Sequence, residues 1–202
     1  LDFPFDNFDG SEVTDIDGDG FADNITTNDG THAILIDNNG MVHIWSGFMQ
    51  VTDDDSLDLG WSYFPGMNGF LYWNETFGAD SVQVLDFGID WDCSGILYDN
   101  IGEDLNAYGG GITSMADATI DPATGNMYLV YMSRVEGTSN TGDVNDFGAE
   151  SYNDLFGVYT TDNGQTWSQP VNLTNSAEGG FENAHPSVAE EAVNGKIHVL
   201  WM

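Results

Sequence analysis

Residues 15–23 read Asp15-Ile16-Asp17-Gly18-Asp19-Gly20-Phe21-Ala22-Asp23, a D-x-D-x-D-G-x-x-D loop. Carboxylates at alternate positions can converge on one hard cation, and an oxygen-only donor set suits calcium. Asp15, Asp17 and Asp19 supply side-chain oxygens, Gly20 permits the sharp turn, Phe21 offers its carbonyl and Asp23 closes the shell. Calcium is the expected cofactor, and those five residues are its expected ligands. The plainer alternative is an acidic turn without metal.

No other residues form a motif that singles out a reaction. The four histidines lie on a repeated strand pattern, with His32 matching His185 and His43 matching His198. Brought together, such rings would make a metal or acid/base cluster. Tyr128 stands at the His43 position of the middle copy, which favours a structural role, each ring bonding a backbone group. Cys93 is the single cysteine, so no internal disulfide forms, and it is expected to be a small buried hydrophobe. There is no Gly-x-Ser-x-Gly elbow, phosphate loop, His-Glu-x-x-His or paired-cysteine zinc spacing. Gly109-Gly110-Gly111 has no basic neighbour and reads as a flexible joint. The aromatics of Trp61–Phe64 and Phe70–Trp73 suit either a sugar-stacking platform or core packing, and core packing is expected. No catalytic residue is assigned.

Composition narrows the partners. The 202 residues include 34 acidic side chains against two basic ones, Arg134 and Lys196, for a formal net charge of −32. Nucleic acid is excluded, because phosphate binding needs clustered Lys and Arg. An anionic membrane surface is disfavoured for the same reason. With 41% hydrophobic and 13% aromatic residues the chain is too apolar for disorder, and no apolar run is long enough to span a bilayer. Divalent cations or external salt would neutralise such a surface, although the acids also serve solubility alone. The opening LDFPFDNFDG has neither Met nor a signal-peptide pattern, so a mature or excised segment is expected. Asn24, Asn74 and Asn172 each begin an Asn-x-Thr glycosylation pattern.

The elements that must position the acidic loop begin at Thr31. Three segments share a strand–turn–strand pattern around Gly40, Gly125 and Gly195: His32–Asp37 into Met41–Trp45, Ala116–Asp121 into Asn126–Tyr131, and His185–Glu190 into Lys196–Trp201. Alternation of apolar and polar residues about a glycine turn predicts a β-hairpin in each. Further hairpins follow the first two. Gly69–Trp73 leads toward a fourth strand near Ser81–Leu85, and residues 156–161 lead into 166–173. The latter encloses Gly157–Trp167, GVYTTDNGQTW, where Asp162, Asn163 and Gly164 carry turn chemistry. Connections 87–113 and 135–153 are long and rich in Gly, Asp and Asn, which is unusual unless they bind something or are held by ions.

Thr160, Asp162, Gly164, Thr166 and Trp167, in the order T-x-D-x-G-x-T-W, resemble the Asp-box (BNR) repeat of sialidase-like β-propellers. In that family the box is a folding device between the third and fourth strands of a blade. The acidic loop resembles the calcium loop of integrin-type FG-GAP blades. An EF-hand would instead need Glu at its twelfth position, which is Thr26, and flanking helices. The resemblance implies an all-β fold, a partial β-propeller of four-stranded antiparallel blades. Its divisions are an acidic lead-in at 1–30, a blade at 31–86, a long loop at 87–113, a blade at 114–175 and the start of a further blade at 184–202. Two and a half blades close no ring, so the remaining blades are expected from the same protein or its assembly.

Family sialidases grip their substrate's carboxylate with three arginines; this chain has one, Arg134, and one guanidinium cannot stand in for three. Sialidase action by this segment alone is therefore not expected. The leading expectation is a secreted or cell-surface, calcium-stabilised propeller segment, a non-catalytic module binding glycan or a surface protein. The alternatives are a fragment of an exo-glycosidase whose active site lies on other blades, and a subunit of an extracellular assembly.

Overall fold

The computed structural model describes residues 13–79, 81–97, 110–143 and 149–202. Among them the chain is all-β, with one short 3-10 turn at Ala177–Gly179. The first sheet comprises β1 (Ile25–Ile36), β2 (Val42–Thr52), β3 (Ser62–Phe64), β4 (Phe70–Asn74) and β5 (Gln83–Leu85). Its order is β1-β2-β4-β5, and β3 pairs with β2 beyond the end of β4. The second is a four-stranded meander of β6 (Thr113–Ile120), β7 (Met127–Arg134), β8 (Asn153–Thr160) and β9 (Val171–Asn172). A third, two-stranded sheet joins β10 (Ser187–Val188) to β11 (Val199–Leu200). Every strand pair within these sheets is antiparallel.

Side-chain alternation decides which face each strand buries. In β1, Ala33 and Leu35 point inward while Ile34 and Ile36 face solvent. The turn into β2 is set by Asp37, whose Oδ1 accepts the N–H groups of Asn39 and Met41 at 2.8 Å each. Strand β1 begins at Ile25, so residue 30 lies within a strand. Both β1 and β6 carry a bulge near their start, between Asn28 and His32 and between Ser114 and Asp117. Met115 and His185 adopt positive φ, 53° and 52°. His185 thus precedes its ladder, which opens at Ser187, whereas His32 lies in one opposite Ser46. The sequence match of His32 with His185 is not a match in backbone geometry.

Two cores separate the sheets. Between the first and second, Trp45, Phe70, Tyr72 and Phe87 meet Leu129, Tyr131, Phe156 and Val158, all nearly or fully buried. Between the second sheet and the β10–β11 hairpin lie Val130, Met132, Leu155 and Ala184, packed by Val188, Ile197 and Val199. Each fully buried large apolar side chain contributes roughly 1.5–3 kcal/mol, so these layers dominate cohesion.

The first strands of the three sheets run side by side in one direction. Ser114 Oγ donates to Asp29 Oδ2 at 2.7 Å near their starts, and Asn38 Nδ2 donates to the Pro122 carbonyl at 3.0 Å near their ends. Further along, Val188 N–H donates to Asp117 Oδ2, Thr119 Oγ1 to the Glu190 carbonyl, and Gly195 N–H to Asp121 Oδ2. A parallel bridge links Ile120 and Glu191. Tight turns therefore gather at one end of the sheets, and the chain leaves β2, β5 and β7 for its longer connections at the other.

Candidate metal centre

The acidic loop sits at the long-connection end, fastened to the close of β2. Thr14, nearly buried, donates its N–H to the Asp53 carbonyl at 2.9 Å, and its Oγ1 accepts the Asp53 N–H at 3.1 Å. Thr14 Oγ1 lies 2.8 Å from the Asp23 carbonyl, and Asp23 N–H returns to the Thr14 carbonyl at 2.8 Å. Asp23 Oδ2 accepts the Ile16 N–H at 2.8 Å. The two ends of the loop are thereby closed into a ring.

Within that ring the backbone turns about Asp15. Its Oδ1 accepts the N–H groups of Gly18 and Asp19 at 2.8 and 3.1 Å, and its Oδ2 that of Gly20 at 3.0 Å. Asp17 Oδ1 accepts the Asp19 N–H, and Asp19 Oδ1 the Phe21 N–H. Asp15, Asp17 and Asp19 each bring a carboxylate oxygen within 4.8 Å of the others. Three hard anionic oxygens on one side of a turn fit a calcium-sized cation. Asp23 is outside that trio and serves as the clasp of the loop. The Phe21 ring is exposed, and its N–H is bonded within the turn.

A second loop of the same build lies at the same end. Asp90-Trp91-Asp92-Cys93-Ser94-Gly95 repeats D-x-D-x-[D/S]-G with Ser at the third ligand position. Ser94 N–H donates to Asp90 Oδ1 at 3.1 Å and to Asp92 Oδ1 at 2.8 Å, and Gly95 N–H to Asp90 Oδ2 at 2.7 Å. These bonds match, position for position, those of Asp19 and Gly20; Gly95 and Gly20 have φ of +84° and +90°. Glu136, buried and from the connection after β7, completes a carboxylate trio with Asp90 and Asp92 and accepts the Trp91 N–H at 2.9 Å. Hydrogen bonds from Ser94 hold the Asp92 carboxyl below its ordinary range. Sequence reasoning passed over this loop because Ser replaces Asp and because Glu136 is remote in the chain; the D-x-D-x-x-G spacing was its visible signal. Cys93, expected inside the protein, is exposed. Its backbone takes a φ of +60° within this exposed loop.

The Thr160–Trp167 segment lies at the opposite end and works as a fastener. Asp162 Oδ1 accepts Thr160 Oγ1–H at 2.7 Å and Thr166 N–H at 2.9 Å, and its Oδ2 accepts Thr166 Oγ1–H at 2.6 Å. These bonds, Thr166 foremost, hold its carboxyl down at about 2. Thr160 Oγ1 in turn accepts the Gly164 N–H at 3.0 Å. Trp167 then crosses to the first sheet, with its ring edge-on to Trp45 and Tyr72 at 5.8 Å each and to Phe87 at 6.0 Å. The indole thus covers the aromatic face of the neighbouring sheet. Gly164, at φ +82°, presses on the Tyr72 hydroxyl so closely that a Cβ there would overlap it.

That hydroxyl belongs to a buried polar chain. His43 Nδ1 lies 2.7 Å from Tyr72 Oη, Asn74 Nδ2 donates to the same oxygen at 3.0 Å, and His43 Nε2 is 3.7 Å from Asp37. Asp37 facing Nε2 favours the tautomer protonated there. Burial depresses the His43 pKa, against the opposing pull of Asp37. His43 is thus structural, but its partner is a side chain where a backbone group was expected. Asn74 is buried with both ends of its amide bonded, Oδ1 accepting from Thr76, so its glycosylation pattern is unusable in the folded chain.

Core packing holds for Phe70 and Tyr72, whereas Trp61, Tyr63 and Phe64 are exposed. Arg134, the only arginine in the chain, is buried at the end of β7. No helix among the described residues is long and apolar enough to cross a membrane. Neither a family model nor a curated protein sequence matches this chain.

Proposed function

We propose that this chain is a segment of a calcium-stabilised β-propeller of the sialidase-like, Asp-box kind, acting outside the cell or at its surface as a non-catalytic binding or structural module. The observation that carries the cation reading is the trio Asp15, Asp17 and Asp19, gathered within 4.8 Å in a loop clamped to β2 through Thr14. A cation there neutralises mutually repelling carboxylates and locks the loop against the first sheet; the Asp90, Asp92 and Glu136 trio offers the same chemistry to the connection before β6. The propeller reading is supported by the three parallel first strands, each opening an antiparallel hairpin, with apolar layers between successive sheets. Further blades, from the same polypeptide or its assembly, would complete the ring. The excess of acid and the lone buried arginine favour binding over sialidase chemistry.

Calcium binding to the native form alone stabilises it by mass action, about 2.7 kcal/mol at a hundredfold excess over Kd. For a domain of this size that is a rise of roughly 5–10 °C in melting midpoint. Melting scans with calcium and with chelator measure it. Asp15→Asn with Asp17→Asn should remove most of the first loop's share, and identical midpoints with and without calcium would end the cation reading.

A further inference from the structure

The connection between β2 and β4 forms an arm at the long-connection end. Strand β2 continues to Thr52, past its pairing with β4, and β3 takes up the free edge, with Phe64 opposite Gln50 and Ser62 opposite Thr52. None of the three residues of β3 is buried. Trp61 and Tyr63, two apart on an extended chain, set their rings 5.6 Å from each other, and they are 43% and 52% exposed. Phe64, Leu57 and Leu59 are exposed as well. Trp61 and Tyr63 thereby form an exposed aromatic pair, and exposed apolar groupings of this kind mark interaction surfaces.

The charge beside them is of one sign. Asp54, Asp55 and Asp58 are exposed in the same connection, which contains no basic residue. We propose that this arm is a docking surface for an arginine-rich segment of a partner protein. Aromatic ring faces carry a negative quadrupole that attracts a cation, and indole does so best. Guanidinium stacks flat on a ring while its N–H edge remains available to a carboxylate, which an ammonium does less well. A net charge of −32 draws such a segment in from a distance and does nothing for a neutral glycan. The surface draws on neither carboxylate trio, so it stands or falls apart from the calcium reading.

The test is titration of the 202-residue chain with an amidated Arg-Gly-Arg-Gly-Arg peptide, at physiological ionic strength and with calcium present, read by tryptophan fluorescence and calorimetry. Trp61→Ser with Tyr63→Ser should weaken binding about tenfold, a loss set by two exposed cation–ring contacts. Asp54→Asn with Asp55→Asn and Asp58→Asn should weaken it and flatten its salt dependence. Glu178→Gln with Glu190→Gln and Glu191→Gln, an equal change of charge at exposed positions elsewhere, should leave it unchanged. The lysine version of the peptide should bind more weakly. Equal losses from both triple variants would reduce the effect to generic polyanion attraction and overturn the proposal. So would no detectable peptide binding, or a neutral hexasaccharide that binds at the aromatic pair while the peptide does not. Unchanged melting midpoints of the variants establish that folding is intact, as expected for exposed positions.

Discussion

Replacing Gly164 with alanine tests whether the Thr160–Trp167 turn fastens the first two sheets together. Two costs add at this position. An L-residue at φ +82° costs about 1–2 kcal/mol. The new methyl group must also displace the Tyr72 hydroxyl, which is buried and held by His43 and Asn74. Overpacking of that kind costs typically 1–3 kcal/mol. The sum, about 2–5 kcal/mol, is a large share of the 5–15 kcal/mol that a domain usually has. Gly40 supplies the internal control, because it has nearly the same φ, +84°, and open space where a Cβ would stand. Gly40→Ala should therefore lose only about 1–2 kcal/mol. Urea unfolding followed by tryptophan fluorescence measures both variants. Adding Tyr72→Phe removes the oxygen that overlaps most, so the double variant should lose less than the sum of the singles, with a coupling of about 1 kcal/mol. Equal losses at Gly164 and Gly40, or strict additivity with Tyr72→Phe, would refute the argument that the turn bears on the first sheet through that hydroxyl.

Trp167→Ala should cost about 2–4 kcal/mol and abolish much of the near-ultraviolet dichroism of the Trp45–Tyr72 stack, since the indole lies edge-on to both rings. His43 is held neutral by burial, below its ordinary value of 6.5, so the unfolded chain takes up its proton first as pH falls. Stability is then full above about pH 6.5 and declines below it by at most about 1.4 kcal/mol per pH unit, and a His43→Gln variant should show a flatter profile in the same window. Asp162 has a lowered carboxyl, so its contribution is present above the usual carboxylate range and is lost as pH falls toward about 2; Asp162→Asn should remove its share of the acid limb of the melting curve and leave that of the other lowered carboxylates, Asp37 and Asp92. Cys93, exposed in the second acidic loop, should react with a thiol-specific chromogenic disulfide in the native protein without denaturant.

The hairpin pattern was readable because alternation about Gly40, Gly125 and Gly195 is a local signal, and the strands flanking those turns pair as the alternation requires. Local signals also pointed to Asp15, Asp17 and Asp19, whose spacing alone converges their carboxylates. What the spacing could not tell was the division of labour: Asp23 accepts the Ile16 N–H and stands outside the trio. Contacts between sheets were invisible for a related reason. Nothing near Trp167 in sequence announces Trp45 or Tyr72, and Glu136 reaches Asp90 only once β7 has brought it there. Cys93 misled through its residue type, since cysteine is usually buried, whereas its neighbours Asp92, Ser94 and Gly95 spoke for a turn.

The indole that finishes the wall of Trp45, Tyr72 and Phe87 is encoded roughly eighty residues after the last strand of that sheet. During synthesis at about 5–20 residues per second, the first sheet therefore waits on the order of 4–16 s with its aromatic side bare. Over that interval the nascent polypeptide presents a sticky surface to anything nearby, and a holdase chaperone or rapid export would shield it until the second sheet arrives.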